Sequence, residues 1–161
     1  SLAKFPQSLT DLPERTLEVD EVLIEEGAQP GSLYFLKRGA VVVTKAEIEI
    51  ARIAEPGAVF GEMSYLLQKP ATAQVSALQE VVVHVADNPG SFLLENPDVL
   101  IYVAGIMARR LESVNRYLVD LKHQFSTHKD HLGMVDEVLD NLMARYPRHI
   151  ERRRVPGEEV E

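Results

Sequence analysis

The chain has 161 residues, a formal net charge of −8 and 45% hydrophobic residues, which suits one domain with an appendage and a substantial core. The absence of cysteine excludes disulfides, cysteine-ligated zinc and thiol catalysis, and fits a reducing, cytoplasmic compartment. No apolar run approaches the roughly 20 residues of a membrane span, and the acidic balance argues against a nucleic-acid surface.

The opening residues, Ser1-Leu2-Ala3-Lys4-Phe5-Pro6, lack the apolar stretch of a secretory signal. The charge is uneven: Asp11, Glu14, Glu18, Asp20, Glu21, Glu25 and Glu26 face only Arg15, whereas residues 148–154 are basic. Two solvated surfaces of opposite sign are the plain reading; an electrostatic contact between chains or with a partner is the sharper one. From residue 16 to 85 the sequence alternates and is rich in β-branched side chains. Strands are predicted over 16–19, 22–25, 32–37, 41–44, 48–53, 59–60, 72–77 and 81–85. Turn residues separate them: Glu26-Gly27, Gln29-Pro30-Gly31, Arg38-Gly39, Glu55-Pro56-Gly57 and Lys69-Pro70. Eight short strands without interleaved helices predict an antiparallel β jelly roll or small barrel.

The character changes at Asn88-Pro89. Asn88 or Ser91 can cap a short helix through Leu94, and Asn96-Pro97 opens a longer one with proline in its first turn. Along it Leu100, Ala104, Met107, Leu111, Val114, Leu118, Leu121 and Phe125 follow each other at spacings of four and three, a seven-residue repeat with one apolar seam. A helix over 97–125, roughly 40 Å long, outruns the strand region it covers, so its distal seam needs a partner. A two-fold helix–helix dimer through Met107, Leu111, Val114, Leu118, Leu121 and Phe125 is preferred; coverage by the tail of the same chain is the alternative. Ser126-Thr127 can cap a last helix whose stripe is Leu132, Val135, Leu139, Leu142, Met143 and Tyr146, stopped by Pro147. The tail after Ile150 is polar and is expected to be disordered. The fold class is therefore α+β: an eight-stranded antiparallel jelly roll, then a long helix and a short terminal one.

Two motifs stand out, and the first of them reports fold rather than ligand. The first is Leu23-Ile24-Glu25-Glu26-Gly27-Ala28-Gln29-Pro30-Gly31-Ser32-Leu33-Tyr34-Phe35-Leu36-Lys37-Arg38-Gly39, an apolar strand between two turn glycines that suit positive φ. The second runs from Phe60-Gly61-Glu62-Met63-Ser64-Tyr65 through Lys69-Pro70 to Ala71-Thr72-Ala73. It reads as a strand end, a glycine turn, a short helical turn opened by a glutamate, a proline stop and a new strand. Together they resemble cyclic nucleotide-binding domains over residues 12–125, with 126–161 as a helical tail.

The resemblance implies that Glu62 accepts a bond from the ribose 2′-hydroxyl and that backbone N–H groups near Met63, Ser64 and Tyr65 meet the cyclic phosphate. After the proline the family places an arginine that pairs with the phosphate; here that position is Ala71. Gly61, Glu62, Thr72 and Ala73 match their places, so the substitution is real and not a shift of register. A charge-assisted bond to a buried anion is worth about 1.5–3 kcal/mol, so its loss predicts affinity for cAMP or cGMP weakened about 10- to 150-fold. Lys69 or Arg52 are candidate substitutes, as point charge or displaced fork. Tyr117 is the candidate lid over the base, or equally a flank of the dimer.

Other constellations are weak. His123, His128 and His131 lack a carboxylate at a ligand interval, so no metal site is expected, and His84 reads as a satisfied core or edge histidine. No Walker loop, nucleophile elbow or paired catalytic carboxylate appears, so neither an enzyme nor a cofactor is expected. Bacterial members of the family follow the long helix with a winged helix-turn-helix for DNA; residues 126–161 hold one apolar-striped helix, so DNA binding is not expected. What remains is a homodimeric regulatory module with a weakened or empty cassette, or a genuine nucleotide sensor. Either signals to an unidentified protein partner.

Overall fold

The computed structural model describes residues 5–125 and 129–150. A short 3-10 helix, Gln7–Asp11, precedes eight strands: β1 Glu14–Leu17, β2 Val22–Ile24, β3 Leu33–Arg38, β4 Val41–Lys45, β5 Ile48–Ile53, β6 Val59–Phe60, β7 Gln74–Ala77 and β8 Val81–Ala86. Helix α1 (Glu62–Leu67) lies between β6 and β7, and α2 (Pro89–Glu95), α3 (Pro97–Gln124) and α4 (Lys129–Leu142) follow the strands. The strands form two four-stranded antiparallel sheets, ordered β1-β8-β3-β6 and β2-β7-β4-β5. This is the jelly roll that the strand spacing predicts.

Alternation decides what fills it. Leu17, Leu36, Phe60, Val81 and Val83 from the first sheet meet Leu23, Val41, Val75 and Ala77 from the second in one buried cluster. Strand β8 pairs with both β1 and β3, and Val81, Val82, Val83 and His84 are all buried. A strand covered on both faces reads as a continuous apolar run, which is what residues 81–83 supply. The second cover comes from the 3-10 helix and the start of α3, where Leu9, Val99, Tyr102 and Val103 are buried. There the Phe5 ring stands edge-on to Tyr102 at 6.1 Å and 6.4 Å from His84, and the Tyr102 hydroxyl donates to the Gly57 carbonyl at 2.9 Å.

Several boundaries differ from expectation for local reasons. Strand β1 sits two residues earlier than predicted, because Glu18–Glu21 is a turn with Asp20 in the left-handed region at φ 69° and Val19 exposed. Strand β7 begins at Gln74 and not at Thr72, since the backbone of Ala71 is bonded to the turn after β2. Asn88 precedes α2 but makes no side-chain cap; Pro89 at the first position starts that helix. His84 is buried as expected, but it is not satisfied: its Nδ1 has no hydrogen-bond partner among the described residues.

The chain divides into two compact units at Ile106–Met107. The second contains the distal part of α3 and α4, linked by an ion pair between Lys122 and Asp136. Leu118 and Leu121 are half-buried there, as are Val135, Leu139 and Leu142, whereas Leu111, Val114, Tyr117 and Phe125 are exposed. The terminal stripe ends sooner than predicted. Helix α4 stops at Leu142, Met143 and Tyr146 are exposed, and the Asn141 side chain takes both the carbonyl and the N–H of Arg148, turning the chain away. The Ser126-Thr127 cap, His128, the Leu132 and His131 side chains and the tail after Ile150 lie outside the described residues or side chains.

Candidate functional site

Strand β6 ends with Phe60 buried in the roll, and the chain then turns through Gly61 at φ 87°, ψ −2°. A Cβ at Gly61 would stand 2.7 Å from the Ser32 carbonyl oxygen, so the turn is pressed against the strand β3 entry and only glycine fits. Helix α1 follows for six residues, with the Tyr65 N–H bonded to the Gly61 carbonyl at 3.1 Å. Gln68 closes it in the left-handed conformation at φ 53°, ψ 48°, and the Lys69 N–H returns to the Ser64 carbonyl at 3.1 Å. The Ser64 hydroxyl donates to the Lys69 carbonyl, tying the helix end to the loop before Pro70.

After the proline, Ala71 is held from both sides by backbone alone. Its N–H donates to the Ala28 carbonyl at 2.8 Å, and its carbonyl accepts from the Gly27 N–H at 2.7 Å. The glycine turn of the first motif and the cassette are therefore one structure. Gly27 and Gly39 adopt the positive φ expected of them, at 85° and 97°.

Between these segments lies a cleft of about 230 Å³. Gly61, Ser64 and Ala71 line it from the cassette, and Ile24, Glu25 and Ser32 line it from β2 and the start of β3. The other expected site residues do not line it: Glu62 is buried, Met63 and Thr72 are exposed and Ala73 is half-buried. Among the described residues, no lysine, arginine or histidine lines the cleft. Arg52 is exposed on β5, where its guanidinium bonds to Glu49. That bond holds the Glu49 carboxyl below its usual range and raises Arg52 further. Lys69 is exposed in the loop. Tyr65 carries its hydroxyl to the first turn of α2, where a Cβ on Gly90 would come within 2.7 Å of it.

The β2–β3 wall was not singled out from the sequence. Its motif is read as a fold signature, and nothing in the spacing says which turn will oppose the cassette. Tyr117 belongs to the second unit and is exposed. Among the described residues no group of three histidine or acidic side chains is placed to hold a metal ion, and no single helix is long and apolar enough to cross a membrane.

The sixth strand of the roll thus passes through a left-handed glycine into one short helix, and the chain then returns clamped against the β2–β3 turn. Residues 14–90 match the family model described as the cyclic nucleotide-binding domain. No curated protein matches the sequence. Among solved structures, the catabolite activator protein of Thermus thermophilus is similar with a TM-score of 0.61 at 22% identity, over 71% of this chain and 57% of that one. The chain thus spans little more than half the length of that relative, and at this identity the likeness is one of fold. The N-terminal domain of a transcriptional regulator from Streptomyces coelicolor A3(2) is similar at 0.54 and 25% identity, covering 71% of this chain and 90% of the other. PKAR CBD2, solved with Sp-2Cl-cAMPS bound, is similar at 0.55 and 25% identity, covering 71% and 75%.

Proposed function

We propose that this chain is a non-enzymatic, cytoplasmic regulatory module whose cassette has weak or lost affinity for cAMP and cGMP, and which acts as a homodimer on a protein partner. One observation carries the ligand part: Ala71 occupies the position of the phosphate-pairing arginine, and no cation among the described residues lines the cleft to replace it. An anion entering a partly closed site with no counter-charge keeps its desolvation cost. The dimer part is supported by Leu111, Val114, Tyr117 and Phe125, exposed along the distal part of α3. Leu118 and Leu121 are half-buried within the second unit, which divides the expected seam between a face beside α4 and a face open to a second copy.

Calorimetric titration with cAMP and cGMP at about 100 μM protein tests the ligand part, because dissociation constants down to the low micromolar range are resolved there. Little or no heat is expected from the native chain. The Ala71→Arg chain should bind about 10- to 150-fold more tightly. A native isotherm with a dissociation constant under about 10 μM would instead establish a genuine cyclic nucleotide sensor.

A further inference from the structure

Helix α4 stops short of the apolar stripe that its sequence carries. Lys122 on α3 pairs with Asp136, which fixes the register of the two antiparallel helices: Leu142, six residues on, comes level with Arg116, six residues back. Burial follows that register. Asn115, Leu118 and Leu121 are half-buried on α3, as are Leu139 and Leu142 on α4, whereas every α3 side chain from Ala108 to Val114 is exposed.

The stripe itself continues. Tyr146 follows Leu139 by seven residues and Leu142 by four, so one more helical turn would carry its ring about 6 Å further along α3, between Leu111 and Val114. Asn141 prevents that turn. Its side chain donates to the Arg148 carbonyl at 2.6 Å and accepts from the Arg148 N–H at 2.9 Å, which folds the chain after Leu142 back and leaves Met143 and Tyr146 exposed. Pro147 limits any extension to Tyr146.

Met107, Leu111 and Val114 keep the four-and-three spacing of a coiled-coil seam, which accepts a helix of the same repeat. Two helices answer that description: α3 of a second copy, and α4 lengthened by a turn. We propose that the clamp between Asn141 and Arg148 decides between them, holding α4 short so that α3 stays open to a second copy. Once the clamp is released, Tyr146 covers Leu111 and Val114 from within the chain. This rests on the homodimer reading and adds the element that regulates it.

Sedimentation of the full chain and of Asn141→Ala, with hydrogen exchange of the amides after Leu142, tests it. Removing two hydrogen bonds, each worth about fivefold, shifts the balance about 25-fold toward the longer helix. The variant should protect the amides of residues 143–146, and its dimer dissociation constant should rise at least about tenfold, since both copies must be open to associate. Adding Tyr146→Glu to Asn141→Ala should restore native dimerisation, which a merely damaged hairpin would not do. An Asn141→Ala chain that dimerises like the native one, or gains no protection after Leu142, overturns the clamp as a switch and leaves the dimer reading intact. A double variant that stays dissociated assigns the loss to damage and likewise overturns it. A native chain that is already monomeric overturns both.

Discussion

Replacing Gly61 by alanine separates the two demands that the cassette turn places on its glycine. At φ 87° an alanine pays the left-handed penalty, about 1–2 kcal/mol. Its Cβ would also stand 2.7 Å from the Ser32 carbonyl oxygen, a backbone atom that cannot rotate aside. Overpacking of that kind costs about 1–3 kcal/mol, so Gly61→Ala should lose about 2–5 kcal/mol in all. Gly27 provides the control. Its φ is 85°, almost the same, yet nothing lies within 4 Å of a Cβ built there. Gly27→Ala should therefore show the conformational term alone, about 1–2 kcal/mol. Urea unfolding followed by far-ultraviolet circular dichroism gives both losses from the shift in midpoint at constant slope. If the two variants lose the same amount to within about 0.5 kcal/mol, the close approach of Gly61 to Ser32 does not exist in solution and the cassette is not pinned to β3 as described.

Three further outcomes follow from other parts of the molecule. Tyr102→Phe leaves the buried Gly57 carbonyl without its 2.9 Å donor and should cost about 1–3 kcal/mol in the same urea assay. Glu14 has its carboxyl pKa lowered, chiefly by the hydrogen bond from Lys37; the bond favours the charged form in the folded state, so its stabilisation is present above the unfolded carboxylate range and is lost as pH falls through the folded value. The difference in unfolding midpoint between the native chain and Glu14→Gln should accordingly be largest near neutrality, shrink below about pH 4 and fade in high salt. Sedimentation at micromolar concentration should find the chain at twice its 18.0 kDa mass, and Leu111→Glu with Val114→Glu should return it to 18.0 kDa with unchanged helix content; a native chain already at 18.0 kDa refutes the dimer.

Much of the roll was legible because its strands are short, rich in β-branched residues and set apart by turn residues. Strands β5 and β6 fall on the predicted residues, and β8 is announced by an unbroken run of valines. Errors came where a backbone bond, not a side chain, decides the boundary. The Gly27–Ala71–Ala28 clamp delays β7, and the Asp20 turn ends β1 early. The cassette frame was legible from Gly61, Glu62 and Pro70, but its opposite wall was not, since pairing between segments about 40 residues apart leaves no local trace. The seven-residue seam of α3 is a different case. Periodicity identifies apolar positions, yet Leu118 and Leu111 belong to the same stripe while one is half-buried and the other exposed. A repeat counts the faces that need covering and does not say what covers each.

On the proposed reading of position 71, the backbone clamp on Ala71 also accounts for a fold that holds without an arginine there. Position 71 does its structural work through its own N–H and carbonyl, on Ala28 and Gly27, and the side chain only projects toward the cleft. Gly61 against Ser32 and Ser64 on Lys69 hold the rest of the cassette by contacts that likewise owe nothing to a bound anion. An arginine here would contribute to a ligand and little to the roll, so changing it alters what the cleft attracts while leaving β6, α1 and β7 in place. Scaffold and specificity are thus carried by different atoms of the same residue. On the proposed reading, the outline of a cyclic nucleotide-binding domain persists while one side chain sets what the cleft attracts.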